Sequence, residues 1–215
     1  EERFASKHFG VFNLIPTISM ENLESYLSEI LEIPRNEVTH CSSFYETKSV
    51  AKNEFLLKDG EVCNATYFVE KGLLRMYSID KNGKEHIIQF APEKWLISDR
   101  SSLYFNEKSN YYIEAVEESE ILLLRNDFFK NMGLHFPKTA EKNDLLLQKH
   151  IRNLQNRVNS LLAETAEERY MNFIKMYPDI LLRVPQWMVA SYLGITPESL
   201  SRVRKELARK NFQTS

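Results

Sequence analysis

The sequence predicts an α+β chain in three parts: an N-terminal antiparallel β-roll of jelly-roll type, one long helix, and a C-terminal helix-turn-helix. Three observations predict it. Turn signals recur roughly every ten to twelve residues through the first half, separating short apolar or alternating runs. Leu147, Ile151, Leu154, Val158 and Leu161 then follow one another at intervals of 4, 3, 4 and 3. Near the C-terminus, Gly194 parts two short helical patterns, the second opening on Thr196-Pro197.

Leu23, Leu27, Ile30 and Leu31 recur at helical spacing and Pro34 closes the pattern, so a helix is expected from about Met20 to Leu31. The expected strands are Glu54 to Leu57, Tyr67 to Val69, Leu73 to Ile79, His86 to Phe90, Tyr111 to Val116 and Ile121 to Leu124. Between them lie turns such as Lys58-Asp59-Gly60-Glu61, Glu70-Lys71-Gly72 and Asp80-Lys81-Asn82-Gly83. This spacing favours an antiparallel sandwich or barrel over alternating α/β units.

From Pro137 to Leu162 there is no glycine or further proline, and the 4-3 spacing reads as a heptad seam along which two chains pair. Leu145, Leu146 and Leu162 broaden the stripe, so the same helix is expected to touch both the roll and a partner. Thr165-Ala166-Glu167-Glu168 is a capping box that opens the next helix. Tyr170, Phe173, Ile174 and Tyr177 form that helix's inner face, and Pro178 ends it.

The hairpin runs from Trp187 to Leu207. Val189 and Leu193 stand at helical spacing, Ala190 is small enough for close packing, and Gly194 can take the positive φ that ends a helix sharply. Thr196 suits an N-cap, and Pro197 suits the first helical position, where a missing N–H costs nothing. At about 100° per residue the second helix puts Leu200, Val203 and Leu207 on one side and Glu198, Ser201, Arg202, Lys205 and Arg209 on the other. Arginine forks onto guanine and glutamate accepts from the cytosine amine, so Glu198 and Arg202 are the expected base readers. Ser199, Ser201, Lys205 and Arg209 suit phosphate oxygens.

The 215-residue chain is 43% hydrophobic and carries a net charge of −2, so its overall charge offers no attraction to nucleic acid. Any such affinity must be local. From Arg202 to Lys210, Arg202, Arg204, Lys205, Arg209 and Lys210 stand against Glu206 alone. Cys41 and Cys63 lack CxxC spacing, which argues against a zinc site, a disulfide framework or a cysteine-ligated cluster. No signal peptide and no apolar run of about 18 residues appears, so a cytoplasmic chain without membrane contact is expected.

The segment Leu193 to Arg202, LGITPESLSR, resembles the recognition motif of the Crp/Fnr superfamily of bacterial transcription regulators. Glu198 and Arg202 match that family's base-reading pair, while Pro197 stands where many relatives carry a basic reader, so the target sequence does not carry over. Glu167 to Pro178 and Leu181 to Pro185 resemble a Bacteroidetes-type branch of the family. Lys58 to Arg75 resembles the start of a cyclic-nucleotide-binding β-roll, the superfamily's sensor domain. The resemblance implies a roll over 1–137, a dimerisation helix over 138–162 and a DNA-binding domain over 163–215, with recognition helix 197–209. It further implies a homodimer on a palindromic site in double-stranded DNA, with RNA polymerase as a candidate partner. Relatives often add a β-hairpin wing after that helix, and a truncated or reduced one is expected from the residues after Lys210.

Nucleotide-binding relatives hold the ribose with a Gly-Glu pair and the cyclic phosphate with a later arginine. In the matching stretches, Trp95 to Leu103 and Lys108 to Ala115, the Gly-Glu pair is absent and no arginine stands before Tyr111, while Arg100 is out of position for the phosphate. A buried anion without a charge partner is costly, so cAMP and cGMP are not the expected ligands and no cofactor is assigned. Asp99, Arg100 and Tyr112 are the residues expected at a small-molecule pocket, with rim residues of a packed roll as the alternative. Two other functions compete: a ligand-sensing or scaffolding roll without specific DNA binding, and a cupin-type metalloenzyme. The second needs a His-x-His pair, and His8, His40, His86, His135 and His150 show no such spacing. No metal ligands and no catalytic residues are assigned, and the chain is not expected to be an enzyme.

Overall fold

The computed structural model describes residues 20–34, 37, 44–125 and 127–213, with the backbone alone at 211–213. Cys41, His8 and His40 lie outside the described residues. Helix α1 (Glu21–Ser25) runs into a π turn (Tyr26–Ile30). The strands are β1 (Tyr45–Val50), β2 (Phe55–Leu57), β3 (Ala65–Lys71), β4 (Leu74–Ile79), β5 (Glu85–Ala91) and β6 (Leu96–Ile97), then β7 (Tyr112–Ala115) and β8 (Ser119–Arg125). Helix α2 (Arg100–Phe105) interrupts them, and α3 (Phe128–His135) and α4 (Lys138–Ala163) follow. The chain continues through α5 (Ala166–Met176), α6 (Ile180–Arg183), α7 (Gln186–Leu193) and α8 (Pro197–Gln213).

The strands form two four-stranded antiparallel sheets, β1-β8-β3-β6 and β2-β7-β4-β5. All six expected strands are present. The two that sequence reading omits are an edge strand and a two-residue strand. β1 is Tyr-Glu-Thr-Lys-Ser-Val, of which only Val50 is buried, so it carries no apolar alternation to detect. Its pairing with β8, from Tyr45 opposite Leu124 to Val50 opposite Ser119, holds it in place instead.

Side chains alternate across the second sheet with a period of two, and both faces are used. Leu74 and Met76 on β4, opposite Ala115 and Ile113 on β7, point into the roll with Val69, Ala91 and Ile97. Arg75 and Tyr77, opposite Glu114 and Tyr112, point outward. On the other sheet, α1, the π turn after it and α3 pack on Phe68 and Leu122 through Leu23, Leu27, Phe128 and Met132. Met20 offers α1 no side-chain cap. Glu70 of β3 supplies one, accepting from Asn22 N at 2.7 Å and Leu23 N at 2.9 Å, and burial pushes its carboxyl up.

The C-terminal helices share a core with the roll. One apolar cluster joins Tyr77, Ile87 and Phe90 on the outer face of the second sheet to Phe173, Tyr177, Tyr192, Leu200 and Val203 of the helices. A segment of roughly 50 residues buries little surface and is marginal alone, and the sheet face adds to what it buries. Phe90 lies 5.7 Å from Tyr192 and 6.0 Å from Tyr177 between ring centroids, and Trp95 lies 5.2 Å from Tyr177. Around this apolar centre sit polar fasteners. Ser191 Oγ donates to Glu85 O and accepts from Ile87 N. Arg183 donates to Glu93 from two nitrogens at 2.9 Å each, to Glu117 at 2.6 Å and to Asp179 at 2.9 Å. Burial works to lower the Arg183 pKa and to raise that of Glu93, but their mutual hydrogen bonds reverse both shifts.

Candidate nucleic-acid interface

Helices α7 and α8 form the hairpin that the glycine spacing predicts. Val189, Ala190 and Leu193 are buried on α7, and Gly194 ends it at φ +68°. Ile195 N donates back to Ala190 O at 3.0 Å, closing the turn. A Cβ on Gly194 would stand 3.2 Å from Leu161 Cδ2, so conformation and space both call for glycine. Thr196 Oγ1 accepts from Ser199 N at 3.2 Å, the capping bond expected at the start of α8.

The two sides of α8 differ as its periodicity requires. Leu200 and Val203 are buried against α5 and α7, with Leu207 half-buried beside them. Glu198, Arg202, Lys205 and Arg209 are exposed together on the opposite side. Ser199 and Ser201 are half-buried at its edges. The Glu198 backbone N–H and the Thr196 hydroxyl hold the Glu198 carboxyl below the usual range, so it is an acceptor at neutral pH. This arrangement offers donors for guanine and phosphate and one acceptor for a base amine on a single rigid rod.

The expected seam occupies an open face of α4. Leu147 is half-buried, whereas Ile151, Leu154, Val158 and Leu161 are 42%, 48%, 57% and 42% exposed. Leu146, on the flank, packs under the roll with α3.

Residues 47–135 match the cyclic nucleotide-binding domain family. The chain is 25% identical over 173 residues to an anaerobic regulatory protein of Pasteurella multocida, covering 75% of this chain and 63% of that protein. It is 22% identical over 176 residues to a fumarate and nitrate reduction regulatory protein of Yersinia pestis, covering 77% of this chain and 70% of the relative. The solved structure of FixK2 from Bradyrhizobium japonicum has the same fold, with a TM-score of 0.66 at 20% identity over 78% of this chain and 86% of that one. These similarities are in keeping with the resemblance to the Crp/Fnr superfamily. The chain spans less than two thirds of the Pasteurella relative.

The three residues expected at a ligand pocket are engaged in different settings. Asp99 is buried and caps α2, accepting from Ser101 N at 3.0 Å and Ser102 N at 3.3 Å, and from Ser109 Oγ at 2.7 Å. Arg100 is exposed, with its guanidinium 4.9 Å from the Tyr104 ring. Tyr112 stacks on Tyr77 at 5.2 Å on the outer face of the sheet, beside the docked helices. Cys63 is buried and unpaired, and burial pushes its thiol up. No described helix is long and apolar enough to cross a membrane.

Sequence reading missed the residues that join the roll to the hairpin. Arg75 is nearly enclosed, donating to Glu114 at 2.9 and 3.1 Å and to Glu85 at 2.5 Å, with Trp187 of α7 5.5 Å from its guanidinium. Tyr77 Oη donates to the same Glu114 at 3.0 Å, and burial raises the Tyr77 pKa. A charged residue inside an otherwise apolar strand, as in Leu73-Leu74-Arg75-Met76-Tyr77, was the available signal.

Proposed function

We propose that this protein is a homodimeric, sequence-reading transcription regulator that binds palindromic double-stranded DNA through α8. Support comes from the capped α7–Gly194–α8 hairpin, whose apolar side is buried while its charged side stays open. Glu198 and Arg202 contact base edges; Ser199, Ser201, Lys205 and Arg209 contact phosphates. Two copies pair along Leu147, Ile151, Leu154, Val158 and Leu161, the last four of which are otherwise open to water. Twofold symmetry then sets the half-sites about one helical turn, roughly 34 Å, apart. The curated relatives named as regulators are in keeping with this reading, as is a chain that acts by binding and not by catalysis.

Selection from a randomised duplex pool, followed by titration of the enriched sequence with wild type and Arg202→Ala, tests it. An enriched palindrome is expected, with the substitution costing about 1 to 3 kcal/mol and relaxing one base position. Absence of enrichment, or unchanged affinity for Arg202→Ala, overturns the reading and leaves a roll that senses or scaffolds without reading DNA.

A further inference from the structure

Helix α7 ends with carbonyls that its own helix cannot satisfy. The Gly194 N–H reaches Ser191 O and the Ile195 N–H reaches Ala190 O, which leaves the carbonyl of Tyr192 among those with no backbone donor. Arg157, on α4, takes it: Nη2 donates to Tyr192 O at 2.6 Å. A guanidinium at this end of a helix also meets the negative pole of the helix dipole. The same guanidinium lies 3.6 Å from the centroid of the Tyr192 ring, so one side chain grips that residue at backbone and ring together. Tyr192 is itself buried between Phe90, Phe173 and Tyr177. One helical turn beyond Arg157 on α4, Leu161 meets the hairpin's turn at Gly194.

Arg157 and Leu161 therefore touch the hairpin from a face of α4 that overlaps the seam, with Leu154 and Val158 as neighbours. We infer that Arg157 is the positioning residue that fixes the recognition hairpin relative to the seam, and thereby sets which half-site spacing the dimer accepts. The inference rests on the proposed dimeric DNA-binding reading. Its physical basis is angular. Each base pair added between half-sites turns the second by about 35° and moves it about 3.4 Å, so a dimer distinguishes spacings only as well as its two hairpins are held. Arg157 lies outside the α8 surface assigned to DNA, and it reads no base.

The test uses the full chain as wild type, Arg157→Ala and Arg157→Lys, on the selected palindrome with its spacer changed by one and two base pairs in either direction. Wild type is expected to prefer one spacing sharply. Arg157→Ala is expected to lose about tenfold in affinity at that spacing, comparable to the loss of one charge-assisted hydrogen bond, and to flatten the spacing profile. It should keep the wild-type base preference within a half-site and sediment as the same dimer. Arg157→Lys, which keeps the charge but not the flat stacking group, should fall between, and it decides the matter if the alanine variant is unfolded. A spacing profile identical to wild type in the folded variants overturns the assignment while leaving the regulator reading standing. Failure of wild type to bind any palindrome overturns the regulator reading first and this one with it.

Discussion

Phe90→Ala measures how far the two halves of the chain are one folding unit. Phe90 is a roll residue on the outer face of its sheet, and it is fully buried only because α5 and α7 cover it. On a roll with an uncovered outer face the substitution would be a surface change, worth within about 0.5 kcal/mol. In the docked structure it removes a phenyl ring that touches Phe173, Tyr177 and Tyr192, and the cost becomes that of a large-to-small core change, about 3 to 5 kcal/mol. That is a large share of the roughly 5 to 15 kcal/mol that holds a typical domain folded. The chain has two tryptophans, and both are at this junction: Trp95 stacks beside Tyr177, and Trp187 lies over Arg75. Urea unfolding followed by tryptophan emission and by far-UV circular dichroism therefore separates undocking from loss of helix. The expected result is a shift of both signals to lower urea by an amount equal to at least about 3 kcal/mol. A loss below about 1 kcal/mol, or an unchanged emission transition, would refute the shared core.

Leu154→Arg places a charge in the seam at a position already 48% exposed, so the monomer's stability should change by no more than about 0.5 kcal/mol while sedimentation shifts from dimer to monomer; a variant that still sediments as a dimer removes the seam assignment. Gly194→Ala must hold φ +68° with a side chain and displace Leu161, and thermal unfolding should report a loss of about 1 to 2 kcal/mol. No measurable loss would mean that the turn tolerates a side chain. Arg183→Ala should cost about 1 to 3 kcal/mol at pH 7. Burial works to raise the Glu93 carboxyl, and its bonds to Arg183 hold it lower, so its contribution is complete above the unfolded value of about 4.3 and is lost as pH falls through the folded value. The difference between wild type and Arg183→Ala, followed by urea titration at several pH values, should therefore shrink below about pH 4; a constant difference would show that the clamp is not ionic.

Local rules carried the reading furthest where a residue's neighbours in sequence are also its neighbours in space. The Thr165 capping box, the left-handed Gly194, the Thr196 cap and the two-sided α8 all follow from spacings of three or four residues. The six apolar strands were legible for the same reason, and β1 was not, because its place is fixed by β8 some seventy residues away. Helix α2 has only a six-residue run, Arg-Ser-Ser-Leu-Tyr-Phe, whose start depends on the Asp99 cap and whose end is a left-handed Asn106. The outward-facing Tyr77 and Phe90 sit where a strand with one solvated face would carry polar groups, so alternation by itself could not say what lies above them. Arg157 and Arg183 read as solvated charges until the fold brings Tyr192, Glu93 and Glu117 to them.

The shared core has a consequence for the order in which the chain is made. Sheet strand β7 is complete once Ala115 has left the ribosome, but the rings that cover Phe90, those of Tyr177 and Tyr192, come about 60 to 80 residues later. At roughly 5 to 20 residues per second, the nascent roll displays a bare aromatic face for about 3 to 15 seconds. During that interval the face is open to other nascent chains, and a chaperone that shields aromatic surface has something definite to hold. Substitutions that slow synthesis between α4 and α7 should lower the yield of soluble protein even though the folded molecule is unchanged, and the aggregates should be rich in N-terminal fragments.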